Sequence, residues 1–303
     1  MISALSGFAL IGVIVAAGWA TRRWAGLPEH ADAVLGRLVY AVLTPCLLFT
    51  AVADADLRVL LSPPLIVSTV AALLCFGLHA LIVRGREPGA RILGGLVAGY
   101  TNANYIGIPI ATYVLGDATL VIPIMMWQLL IVTPVALVLL ERATTGHASP
   151  RTAVTAPLRN PLIVAVLLGL LLAITGVRLP AVLAHPVAMI GSAAVPVVLI
   201  AFGMSLSGRP VLAPGPDRFA TITAVALKTV GMPAIAFVLA VALGLTRDQT
   251  YAVTVLAGLP TAQNIFLYAQ RFRTGLALAR DGVFLSTLSC VPVLLLIAVL
   301  FEL

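Results

Sequence analysis

The chain has 303 residues, of which 61% are hydrophobic and only 10% charged, and its mean hydropathy is +1.12. A soluble domain carries about 25% charged residues, so the composition excludes an ordinary soluble protein and predicts a chain that lies almost wholly in a bilayer. The net charge of +7 does not point to nucleic acid, because the basic residues are scattered among short loops without a basic and aromatic stripe.

Ten apolar runs are long enough to cross, at about 20 residues per span: roughly 3–21, 33–53, 63–83, 92–115, 118–140, 158–177, 186–207, 218–244, 248–270 and 276–301. All are predicted to be helices, because backbone in lipid must satisfy its own hydrogen bonds. The first run has its basic residues, Arg22 and Arg23, behind it rather than in front, so it reads as a retained span and not a cleaved leader. Loops after odd-numbered spans hold thirteen arginines and loops after even-numbered spans three. This bias predicts odd-numbered loops in the cytoplasm and both termini outside, as in a multi-pass protein of a bacterial inner membrane. Trp19 and Trp24 read as interface anchors and His79 as an interfacial residue. Cys46, Cys75 and Cys290 sit in apolar runs and read as packing residues.

The longest polar stretch, ERATTGHASPRTAVTA at 141–156, divides the chain. The expected organisation is a first five-helix repeat at 1–140, a cytoplasmic linker at 141–157 and a second repeat at 158–303. Five is odd, so the second repeat would run inverted. Thr44-Pro45 in span 2 and Val195-Pro196 in span 7 agree with that relation.

Two stretches break the apolar pattern at matching places: AGYTNANYIGIPI at 98–110 and AGLPTAQNIFLY at 257–268. Aligned on Ala-Gly, Thr101 falls on Pro260, Asn102 on Thr261, Ala103 on Ala262 and Asn104 on Gln263. Such paired interruptions point to a transporter's binding site. The first cluster falls about ten residues into its span, roughly 15 Å deep at 1.5 Å per residue. Gly99, Gly107, Pro109 and Gly258 are the expected helix-breaking positions. Asn104 is the expected N-cap of the second half of span 4, and Pro260 suits the first turn of the second half of span 9. Two helix N-termini would then converge, each equivalent to about half a positive charge, with Thr101, Asn102, Asn104, Thr261, Gln263 and Asn264 around them. Such a site favours an anion, most simply a carboxylate.

No Asp or Glu falls centrally in a span, which argues against a cation–proton antiporter. Lys228 in span 8 is the one charge well inside a span. It is expected to snorkel to the cytoplasmic face; the other reading is that it balances the charge of a bound anion. Gln128 in span 5 reads equally as an interhelical hydrogen bond or a substrate contact. No metal site and no cofactor is expected.

At TPCLLF in span 2, the Asn102-x-x-x-x-Gly107-Ile108-Pro109 pattern, VPVVLIAFGMSL in span 7, LKTVGMP in span 8 and LPTAQNIFLYA in span 9, the chain resembles the auxin efflux carrier family, in particular its bacterial malonate and malate permease branch. The resemblance covers nearly the full length. It implies an all-α membrane fold of ten helices as two inverted repeats, with broken crossover helices 4 and 9, like bile-acid symporters and sodium–proton antiporters. It further implies a scaffold (spans 1, 2, 6, 7), a mobile transport domain (spans 3–5, 8–10), a homodimer and an elevator-type movement of small carboxylates. Asn102 matches the crossover Asn that meets the carboxylate in plant members, Pro260 the second crossover proline, and Gln128 a span-5 glutamine near the substrate. Thr101 stands where plant members have the first crossover proline, and span 3 has no acidic residue, so H+ or Na+ as coupling ion stays open.

The expected function is secondary transport of a small organic anion, a dicarboxylate such as malonate or malate, and not enzymatic. The alternative is a sodium-coupled bile-acid-type symporter. An intramembrane protease is disfavoured, since Ser286 and Ser289 have no His in mid-span to activate them. No G-x-x-x-x-G-K motif supports ATP-driven pumping.

Overall fold

The computed structural model describes residues 2–28, 30–54, 63–145, 161–207, 211–212, 215 and 217–302. Of the expected linker 141–157, residues from 146 onward lie outside the described residues. Among the described residues the fold is all helical, and six helices are long and apolar enough to cross a membrane: Ala31–Ala53, Pro64–Ile82, Ile122–Thr145, Ala181–Leu206, Asp217–Ala242 and Leu276–Phe301. The chain is therefore a multi-pass membrane protein.

In order, the helices are α1 (Ile2–Trp24), α2 (Ala31–Leu38), α3 (Thr44–Ala53), α4 (Pro63–Ile82), α5 (Pro88–Gly99), α6 (Ile108–Tyr113), α7 (Ile122–Trp127) and α8 (Thr133–Thr145). After these come α9 (Pro161–Thr175), α10 (Ala181–Ser192), α11 (Ala194–Leu206), α12 (Asp217–Ala226), α13 (Met232–Ala242), α14 (Arg247–Ala257), α15 (Asn264–Phe272) and α16 (Leu276–Glu302). Several are halves of one rod, joined by a widened turn with i→i+5 hydrogen bonding. Among the described residues four such turns occur, at Val39–Leu43, Ala103–Gly107, Gln128–Val132 and Leu227–Gly231. Each ends two residues before a proline: Pro45, Pro109, Pro134 and Pro233. The cause is local. Proline has no N–H and its ring crowds the carbonyl four residues back, so the turn before it opens. Widened turns recur at functional sites, and here they carry Gln128 and Lys228.

α1 packs along α11, while α3 packs on α9 and α10. On the other side α4 packs on α5 and α13, α13 on α14, and α12 on α16. The α1–α11 crossing is close because glycines line it. A Cβ on Gly18 would strike the Ile200 carbonyl, and one on Gly203 would strike the Val15 carbonyl and lie 3.0 Å from the Trp19 amide. Small residues are how membrane helices bring backbones together when apolar burial gives no preference over lipid. We expect Gly203→Leu to separate the pair and destabilise the protein by about 3 kcal/mol or more, read as a lower melting temperature in detergent. Gly12→Ala, on the partner helix α1 with open space around it, serves as the control and should melt as the parent does.

One positional expectation fails. Lys228 does not snorkel: it is fully buried, because its rod is enclosed by α4, α5 and α16. His79 is fully buried within the protein, with Nε2 3.2 Å from the Ala220 carbonyl, because Gly94 on α5 leaves room for its ring against the backbone. Of the cysteines, Cys75 and Cys290 are buried and Cys46 half-buried, all as free thiols.

Candidate functional site: a crossed pair of broken helices

α5 stops at Gly99 and the chain turns extended at Tyr100 (φ −88°, ψ 111°). α14 opens with a capping box, in which Thr246 accepts from the Gln249 amide while the Gln249 side chain accepts from the Thr246 amide. It closes at Ala257, with Gly258 as C-cap. The two extended segments then meet. Thr101 lies opposite Thr261 in an antiparallel bridge. Asn102 N donates to the Pro260 carbonyl at 2.8 Å, and Ala262 N donates to the Tyr100 carbonyl at 3.2 Å.

A two-residue bridge inside a membrane has a difficulty. Its inner edges pair, but the N–H and C=O of Thr101 and Thr261 point outward, where no water is at hand. A side chain meets both outer groups of Thr101, and another meets the amide of Thr261. Gln128, in the amide orientation that completes the network, donates to the Thr101 carbonyl at 2.8 Å and accepts from the Thr101 amide at 2.9 Å. It acts as a third strand one residue long. On the far side, Thr261 N donates to Ser286 Oγ at 3.1 Å, and Thr261 Oγ1 donates to the Val97 carbonyl at 2.7 Å.

Lys228 ties the breaks together. Its Nζ donates to Thr101 Oγ1 at 3.0 Å and to the Ala257 carbonyl at 2.9 Å, and sits 3.0 Å from Met232 Sδ. The ammonium thus meets the C-terminal end of α14, where the helix dipole is negative. It is the single lysine of the chain.

The bridge pairs Thr101 with Thr261, and it corrects two details of the sequence reading. Pro260 is not in the first turn of a helix: it sits in the bridge as an acceptor, and α15 begins only at Asn264. The turn after the first break starts at Asn102, whose carbonyl accepts from Gly107 N at 2.9 Å, so Asn104 lies inside that turn and is not its cap.

A cavity of about 130 Å³ opens beside the bridge, between the α2–α3 rod and the two breaks. Thr101, Asn102, Gln128 and Asn264 line it, together with Thr44 and Tyr100, which sequence reasoning missed. Asn102 Nδ2 donates to Gln263 Oε1 at 2.9 Å, and Tyr100 Oη lies 2.9 Å from Thr133 Oγ1. Pro260, Thr261 and Gln263 stand behind this wall as parts of the bridge. Gly99 ends α5 against the Phe76 ring, and a Cβ on Gly107 would lie 2.8 Å from Val121 Cγ2. Pro109 lies in the first turn of α6. The side chains of Asn104 and Pro109 lie outside the described residues. A site of this size suits a small polar guest, since drug-sized pockets run about 300–1,000 Å³.

Membrane-length helices packed around a buried, amide-walled hollow define a membrane transporter. The chain belongs to the membrane transport protein family, which is auxin efflux carrier-like; the family matches residues 7–298. Its members are transporters and not enzymes. No curated protein matches the chain.

Proposed function

We propose that the protein is a secondary active transporter of a small organic carboxylate anion, a dicarboxylate such as malonate or malate, as in the malonate and malate permease branch. In this reading the helices form two inverted five-helix repeats, 1–140 and 158–303. The scaffold is spans 1, 2, 6 and 7, and the transport domain is spans 3–5 and 8–10. The anion binds at the crossover and moves with the transport domain by an elevator shift, coupled to H+ or Na+, in a homodimer of the bacterial inner membrane with both termini outside.

The observation that carries this reading is the cavity's position and lining. It lies between the α2–α3 rod and the paired breaks, and amide groups of Asn102, Asn264 and Gln128 face it. The Lys228 charge lies directly behind Thr101. Amide donors and a fixed positive charge stabilise an anion, and a seam between two packed bodies is where alternating access would expose it to either side. A sodium-coupled bile-acid-type symporter fits less well, because a cavity of about 130 Å³ is small for a bile acid.

The test is uptake of labelled malonate into proteoliposomes. Asn102→Ala and Asn264→Ala should each lower uptake at least about tenfold while leaving expression unchanged, since a lost hydrogen bond to a charged ligand costs about 1.5–3 kcal/mol. Parent-like uptake of malonate, malate and other small carboxylates by both variants would refute the proposal. Sodium-dependent uptake of a bile acid would favour the alternative.

A further inference from the structure

A second polar hollow lies away from the crossover. It measures about 400 Å³ and lies between the α2 rod and the end of α15, with Arg37, Tyr40, Pro161, Gln270, Arg271 and Arg273 in its wall. Among the described residues its lining includes no Asp or Glu. The two ion pairs among the described residues engage other arginines, Arg86 with Asp217 and Arg280 with Asp281. Three arginines therefore line one concave space, with no carboxylate among its described lining residues.

Two features hold these groups in place. The Arg271 guanidinium lies 5.4 Å from the centre of the Tyr40 ring and 5.9 Å from that of Phe272. Stacking fixes the plane of a guanidinium and leaves its edge donors free for an oxyanion. Arg273 adopts a left-handed conformation (φ 52°, ψ 39°) as the C-cap of α15. Gly or Asn usually occupies that place, and a residue kept in a disfavoured conformation suggests use of its side chain. The position is also informative. Tyr40 is one helical turn from Thr44, which lines the crossover cavity, so both hollows lie along the same seam.

We propose that this pocket is a second anion site, which takes a small oxyanion bearing two or more negative charges, with the phosphate group as its simplest representative. The three arginines supply fork-shaped donors that match such oxygens in pairs. A bound anion bridges α2 and α15. Resting on the elevator reading above, that bridge would join scaffold to transport domain and slow transport.

The experiment titrates inorganic phosphate into the full-length protein in phosphatidylcholine nanodiscs, followed by calorimetry. It is done in the parent and in Asn102→Ala, where the crossover site is impaired. Saturable binding is expected in both, and Arg37→Gln combined with Arg271→Gln should weaken it at least about tenfold in both. Arg273→Gly should also weaken binding while melting at the parent temperature or above, because glycine relieves the left-handed backbone; a merely structural arginine would not separate the two readouts. Discs containing phosphatidylglycerol decide the source. Loss of the phosphate signal there identifies a lipid headgroup as occupant, and its persistence identifies a free anion. Phosphate affinity unchanged by the double substitution, or no saturable binding in neutral discs, overturns the proposal. Parent-like malonate uptake by Asn102→Ala would instead sink only the crossover reading.

Discussion

Lys228→Met is expected to fold and to bind malonate about thirtyfold more weakly than the parent. The ammonium is fully buried and held by the Thr101 hydroxyl and the Ala257 carbonyl. Burying an ion costs several kcal/mol after relaxation, and these contacts, with the dipole of α14, offset that cost. Methionine fills a similar volume without the ion. The substitution leaves a carbonyl and a hydroxyl unpaired, at about 1–3 kcal/mol for each such group, but removes the desolvation cost, so stability should change by no more than about 2 kcal/mol. The effect on the guest is different in kind. A unit charge one hydrogen-bonded residue from the anion is worth on the order of 2 kcal/mol at an effective dielectric of about 20, or roughly thirtyfold in affinity. Calorimetric titration of malonate into both proteins checks this. Equal affinities would remove Lys228 from any role in balancing charge and leave it as a tie between the broken helices.

Gln128→Ala should instead lose stability and uptake together. The side-chain amide is the partner of both the N–H and the C=O of Thr101. Truncation strips the outer edge of the bridge, leaving two polar backbone groups beside a small cavity. At about 1–3 kcal/mol for each unsatisfied group, the expected loss is about 2–6 kcal/mol, toward the lower end if cavity water fills in. Thr101 then loses its fixed place, and with it the contact to Lys228. Gln128→Glu keeps the shape and makes the cause testable. Only the protonated acid can donate to the Thr101 carbonyl while accepting from its amide, so function should survive at acid pH and fade as the pH rises. A Gln128→Ala protein that melts and transports like the parent would show that the bridge edge needs no partner.

Much of this was legible in one dimension. Membrane residence followed from the scarcity of charge. The breaks at 99–102 and 258–260 were visible because glycine, proline and amides interrupt an apolar run, and proline marks the widened turns two residues ahead of it. What failed did so for a shared reason. A helical sequence reports how deep a residue lies but not which way it faces. Lys228 has the same depth whether it reaches for the membrane surface or turns inward, and only the packing of α4, α5 and α16 around its rod decides. The cap of the second break was misread for a related reason: Pro260 suits a helix start by its own chemistry, whereas the structure holds it in the bridge as an acceptor and starts α15 at Asn264.

The sequence by itself determined that the chain is apolar, helical and interrupted twice, because these properties are set by local chemistry and by the demand that backbone in lipid bond to itself. Tertiary structure alone decided that the two interruptions bond to each other as an antiparallel bridge, that Gln128 and Ser286 meet outward groups of that bridge, and that the lone lysine lies behind it. Those partners are far apart along the chain, and the bond between them depends on a spatial register that no local pattern encodes.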